Sequence, residues 1–246
     1  MKRSVKSMEN TLKREMLIYP GVCDHSGDLS IPAAFGICMD LAAEHAARLG
    51  IGMWDLAARD LFWLTVKTRI RFLRRPRMAD AITGETWPEP AEKIRCNRDY
   101  CLRAGDEVLA VGKTEWAVVN MKTGKLHPAP DIYPAGLEMR TDAVWDEPFA
   151  RLRDDFDGVP VFSRYTVCST DIDVGGHMNN VAYVRCLAGA FSTKEWDELN
   201  VRDLEIHFKA SCYEGQVIEM QRRERDGGTD IRMSVAGKTA VLVRIQ

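Results

Sequence analysis

Between Cys168 and Val181 the chain reads Ser-Thr-Asp-Ile-Asp-Val-Gly-Gly-His-Met-Asn-Asn, and no other stretch packs titratable and hydrogen-bonding side chains so densely. His177 can take up or release a proton near neutral pH, and Asp173, four residues earlier, can orient its imidazole by accepting the ring N–H. Gly175 and Gly176 let the backbone approach a ligand closely or adopt positive φ. Asn179 or Asn180 can cap the helix that follows, whose first amides can stabilise a developing oxyanion. The same residue types also serve as ordinary turn and capping groups, so the motif alone leaves both readings open. The other histidines have less around them. His45 follows Glu44 on a helical stretch and reads as a partly buried helix residue, and His25, His127 and His207 have no clustered partners.

These residues need elements to hold them. The clearest helix runs from about Pro32 to Leu49, with Ser30 as cap, Pro32 in the first turn and Gly50 after the last periodic residue. Ala34, Ile37, Cys38, Leu41, His45 and Leu49 recur at helical spacing and give it one apolar stripe. In WLTVKTRIRF, Leu64, Val66, Thr68, Ile70 and Phe72 alternate with Lys67, Arg69 and Arg71, which is a strand pattern. Ala81 to Trp87, Arg95 to Arg103 and Val108 to Asn120 are further strand candidates. A stretch from His127 to Pro160 carries five prolines and little periodicity. The order then repeats: a strand from Val161 to Cys168, a helix from about Val181 to Trp196, and strands over Leu204 to Ser211, Gln216 to Arg225, Asp230 to Val235 and Lys238 to Ile245. The halves share pattern with almost no residue identity, which predicts two copies of one α+β unit, each a curved antiparallel sheet wrapped on a long helix.

Composition limits the function. The 246 residues are 46% hydrophobic and 28% charged, an ordinary globular balance. With 34 Lys and Arg against 36 Asp and Glu, the net charge of -2 removes the broad attraction on which nonspecific nucleic-acid binding depends. Stretches free of Asp, Glu, Lys and Arg, such as Leu29 to Met39, reach only 11 residues, too short for a membrane span of about 20. The basic start of the chain lacks the apolar run of an export signal, and seven cysteines without a C-x-x-C pair argue against a disulfide framework or a zinc site, so reduced thiols in a cytoplasm are expected. Lys67, Arg69, Arg71, Arg74, Arg75 and Arg77 form a local basic run. It reads as a solvated strand face or as a patch for an acidic partner.

The run DIDVGGHMNNVAYV resembles the second-repeat signature of the acyl-acyl carrier protein thioesterases of bacteria and plants, which carry two hotdog domains in one chain. In the first half, LAAEHAARLGIG, FWLTVKTRIRFLRRPRMAD, TWP, RDYCLR and GKTEWAVVNMKTGKLHP are similar to that family's N-terminal hotdog, so the resemblance covers most of 12 to 246. It implies an N-terminal hotdog over 1–135 that holds the acyl chain, a linker over 136–160 and a catalytic hotdog over 161–246. The implied reaction releases free fatty acid from fatty acyl carrier protein, with water as final nucleophile and no cofactor or metal. Asp173 and His177 match the family's catalytic pair. Gly175 stands where the family has a catalytic asparagine, and Ser211-Cys212 where it has an acidic residue followed in many members by cysteine. Cys212 is therefore either a matching nucleophile or a small buried residue, and Glu214 is a candidate for the lost carboxylate. Met39, Met53, Trp54 and Trp63 are expected to wall the acyl site, and the basic run to receive the carrier protein. The expected assembly is a monomer with two internal hotdogs or a homodimer, without nucleic acid or membrane. Two alternatives stay open: a hotdog hydratase or dehydratase acting on 2-enoyl or 3-hydroxyacyl thioesters, and a non-catalytic acyl-binding double hotdog.

Overall fold

Alternating apolar and polar side chains draw most of the chain into strands, and one long apolar stripe makes the principal helix. The computed structural model describes residues 9–145, 147–225 and 227–246. Residues 1–8, part of the basic start read above for an export signal, lie outside the described residues. The first half contains β1 (Leu12–Leu17), α1 (Ile31–Arg48), α2 (Met53–Ala57), β2 (Leu61–Phe72), β3 (Ala81–Pro88), β4 (Arg95–Ala104), β5 (Glu107–Asn120) and the short β6 (Leu126–His127). The second contains β7 (Val161–Thr166), α3 (Asn180–Ala188), α4 (Thr193–Leu199), β8 (Asp203–Phe208), β9 (Val217–Arg225), β10 (Gly228–Val235) and β11 (Lys238–Ile245). Among the described residues no helix is long and apolar enough to cross a membrane.

The strands form one continuous sheet in the order β1-β3-β4-β5-β2-β8-β11-β10-β9-β7, with β6 beside β5. Each half has the same internal order, β1-β3-β4-β5-β2 and β7-β9-β10-β11-β8, so the repeated pattern is a repeated fold. The halves join where β2 pairs antiparallel with β8, Lys67 opposite His207 and Arg71 opposite Asp203. A bulge between Thr65 and Lys67 resets the alternation of β2. Thr65 pairs with Trp116 and Thr68 with Thr114, so Thr65 and Thr68 share a face, which simple alternation does not give.

Ser30 caps α1 by accepting the Ala33 N–H at 3.3 Å, and Ala34, Phe35, Cys38, Leu41 and His45 form its buried side. α3 packs against α1 at Gly36, where Val181 lies at van der Waals distance. Both helices share one core with the sheet, including Phe35, Leu41, Ile70, Leu102, Val184 and Val243. The helix expected from Val181 to Trp196 is two helices. It stops at Ala188, Gly189 follows as cap, and Ser192 and Glu195 form a reciprocal capping box that starts α4. The second repeat's core helix thus has 9 residues against 18 in the first.

The proline-rich segment lacks regular structure over much of its length: Ile132, Tyr133 and Leu137 pack beside α1 and α2, and the later part packs on the opposite face of the sheet. Trp145 lies under Arg69 and Arg71, whose guanidinium carbons stand 3.8 and 4.3 Å from its ring. The Ala150 N–H donates to Glu205 at 2.7 Å, and Phe156 is fully buried. The basic side of β2 is therefore covered and is not a solvated strand face.

Candidate active site

Hydrogen bonds close Asp173 to His177 into a tight turn. The Asp173 N–H donates to the His177 carbonyl at 3.0 Å, the Gly176 N–H donates to the Asp173 carbonyl at 3.0 Å, and Ile172 bridges to Met178. Gly176, at φ +76, supplies the left-handed residue that closes such a loop, so positive φ is required there and not at Gly175. The Gly175 N–H donates to Asp173 Oδ1 at 2.8 Å. That oxygen lies 3.6 Å from His177 Nδ1, an ion-pair contact longer than a hydrogen bond, and Nδ1 is buried with no partner. Phe62 of β2 meets the imidazole edge-on, with ring centroids 6.3 Å apart. Gly175 matters through its missing side chain: a Cβ would stand 2.9 Å from His177 Nε2 and 3.0 Å from Asp173 Oδ1. The histidine ring lies back over the glycine.

Asn179 caps α3 through Oδ1, which accepts the Val181 N–H at 2.8 Å. Asn180 Nδ2 donates to Thr65 Oγ1 at 2.8 Å, tying the turn to the first half and leaving its second N–H for another acceptor. Cys212 is fully buried and stands outside the cavity lining. Its N–H donates to Tyr183 Oη at 2.8 Å, its carbonyl accepts the Met178 N–H, and burial pushes its thiol pKa up. A thiol so placed packs; it is not an activated nucleophile.

The first half holds the same turn with different chemistry. Asp24 N–H donates to the Asp28 carbonyl at 2.8 Å, Gly27 is left-handed, Leu29 N–H donates to the Pro76 carbonyl, and Ser30 caps α1. By this bonding Asp24, Asp28, Arg75 and Pro76 stand where the second half has Asp173, His177, Ser211 and Cys212. Arg75 is ion-paired with both Asp24 and Asp28 and fills its position. Ser211 is small, and there the cavity opens. Only Asp24 and Gly27 are shared with Asp173 and Gly176, too little identity to signal the correspondence in sequence.

The cavity, about 830 Å³, draws on both halves. Asp173, Gly175, His177, Asn180 and Ser211 stand at its second-half side, and Met39, Met53 and Trp63 line it from the first. Trp54, expected in that wall, is 75% exposed on α2 and outside the lining: its neighbour Met53 takes the inward position. Glu214 is exposed and also outside it. Residues the sequence reading passed over include Phe62, Thr65, Asp40, Arg98 and Lys209. The six basic residues do not make a free patch. Arg69 and Arg71 pair with Asp203 at 3.4 and 2.7 Å, Arg74 with Glu107 at 2.9 Å, Arg77 with Asp28 at 3.5 Å, and Lys67 with Glu115 at 4.0 Å, while Arg75 is held as described.

A family model of the acyl-ACP thioesterase N-terminal domain matches residues 9–136, and one of the C-terminal domain matches 157–246. The chain belongs to the acyl-ACP thioesterase family. An acyl-[acyl-carrier-protein] hydrolase of Cuphea viscosissima is 26% identical over 203 residues, 77% of this chain and 49% of that protein. A dodecanoyl-[acyl-carrier-protein] hydrolase of Umbellularia californica is 22% identical over 204 residues, covering 77% of this chain and 53% of that one. The chain spans about half the length of the curated relatives it matches. Among solved structures, an acyl-ACP thioesterase from Bacteroides thetaiotaomicron superposes with a TM-score of 0.83 at 18% identity, covering 96% of this chain and 97% of that one. A 12:0-ACP thioesterase from Umbellularia californica gives 0.82 at 19% identity and 97% of each chain. The acyl-ACP thioesterase architecture, two tandem hotdogs, therefore runs nearly end to end through the chain.

Proposed function

We propose that this protein hydrolyses the thioester of fatty acyl carrier protein and releases free fatty acid. The observation that carries the reading is the Asp173–His177 turn opening on a large cavity lined by both halves, within a chain of this family. His177 takes a proton from water as the water attacks the thioester carbonyl, and returns it to the departing thiol. Asp173 steadies the imidazolium from 3.6 Å. The free N–H of Asn180 and the start of α3 offer donors to the carbonyl oxygen as it gains charge. Met39, Met53 and Trp63 hold the acyl chain. Water is the nucleophile in this reading because Cys212 is buried outside the cavity. We place the reaction in a cytoplasm, consistent with thiols that are all unpaired. Release of free thiol from a panel of acyl carrier protein thioesters tests the reaction. Loss of enoyl absorbance without thiol release would mark a hydratase instead.

A further inference from the structure

The cavity wall in the first half is not hydrocarbon throughout. Arg98, on β4, lines it and is 4% exposed. Its Nη1 donates to His45 Nδ1 at 2.9 Å and to Thr86 Oγ1 at 3.3 Å, and among the described residues no carboxylate lies within 4.0 Å. His45 Nε2 lies 3.0 Å from the Glu9 carbonyl, so that nitrogen carries the proton and Nδ1 the lone pair. The imidazole is neutral, its pKa pushed down to about 4 by burial and by Arg98. A neutral ring and a hydroxyl occupy N–H groups without compensating the charge.

Nearby acids are engaged elsewhere. Asp99 follows Arg98 on the strand and so faces the other side of the sheet, toward Lys113 at 3.7 Å. Glu44 is bound by Arg14 and Arg48. Asp40 lines the same cavity without reaching Arg98. A second donor shares the wall: Trp116 Nε1 is buried without a well-aligned hydrogen bond, beside the Tyr100 hydroxyl. A buried guanidinium without a counter-charge is costly, and an indole N–H without a well-aligned acceptor adds to that cost. The corner holds a positive charge that no carboxylate pairs with.

We propose that the Arg98–Trp116 corner is a subsite for an oxygen-bearing group on the far part of the acyl chain, a carboxylate above all. Thioesters of chains ending in a carboxylate are then preferred over methyl-ended chains of equal length. The spacing suits a chain terminus. Arg98 pairs across from Thr114, which pairs in turn with Thr68, placing β4 two strand spacings, about 10 Å, from β2. Thr65 of β2 holds Asn180 beside the reacting end.

The proposal rests on the thioesterase reading for its substrate, and its test separates the two. Carrier-protein thioesters of a monocarboxylic acid and of the matching α,ω-dicarboxylic acid are compared by kcat/KM, and the two free acids by calorimetric binding. Wild type should favour the carboxylate-ended partner about ten- to a hundredfold, the worth of a charged hydrogen bond. Arg98→Met should abolish or reverse that ratio, and Trp116→Phe should lower it while keeping the ring. Should Arg98→Met fail to fold, Trp116→Phe decides. Equal or methyl-favouring ratios in wild type, unmoved by either substitution, overturn the subsite. If neither thioester is cleaved, the hydrolase reading fails and the binding ratio still decides the subsite.

Discussion

His177 rests over Gly175 because that residue lacks a Cβ, and this sets the expected effect of restoring a side chain. Gly175→Asn brings a Cβ within 2.9 Å of Nε2, so the imidazole must swing from its place beside Asp173. Stationary kinetics should show kcat falling about tenfold or more with KM little changed, as expected when a group acting in the transition state is displaced. An unchanged or raised kcat would mean that the ring works from another position. Cys212 carries the opposite expectation. Its thiol is buried and its pKa raised, so Cys212→Ala should retain most of the turnover, and mass spectrometry should find no acyl adduct on Cys212 in the wild type. Loss of turnover in a folded variant, or an adduct, would make it the nucleophile.

At the scale of elements, α1 carries a buried histidine whose proton binding is coupled to folding. His45 has a folded pKa of about 4 against 6.5 for the free side chain, depressed first by burial and then by Arg98. Below 6.5 the unfolded chain binds a proton that the folded one refuses, so this contribution to stability is lost as pH falls from about 6.5 toward 4. Urea midpoints should decline over that interval, and His45→Gln, which keeps one acceptor and one donor, should flatten that part of the profile. The long helix itself is legible in the sequence, because Ser30, Pro32 and a continuous stripe all agree. The catalytic turn is legible too, since Asp173, Gly176 and His177 sit close together in the chain. The break before α4 is not: Phe191 continues the apolar pattern, while Ser192 and Glu195 start a new helix by capping. Thr65 is hidden by the bulge that follows it, and Phe62 touches His177 only after the halves join. Long-range placement of this kind leaves no local trace.

Across the whole molecule, the linker and the basic run explain each other. Arg69 and Arg71 look available in sequence because their acids, Asp203 and Glu205, arrive from β8, and Trp145 covers them. Trp145→Ala should therefore cost about 3 to 5 kcal/mol of stability and speed proteolysis within 136–160, both measurable on the purified protein. With every cation of the run paired, charge reversal at Arg74 or Arg77 should change KM for carrier-protein substrates less than twofold, and salt should affect those substrates no more than small thioesters. A large selective effect would restore the patch as a docking surface. Two copies of one fold build a single cavity, and the second copy's turn presents His177 to it, while the acids of the first copy's turn are locked by Arg75. The most direct test is thiol release from fatty acyl carrier protein by wild type, His177→Ala and Asp173→Ala, each shown to be folded. The prediction is rapid release by wild type and a loss of about 10²- to 10⁴-fold for His177→Ala, with a marked loss also for Asp173→Ala. Near wild-type release by both folded variants would contradict it.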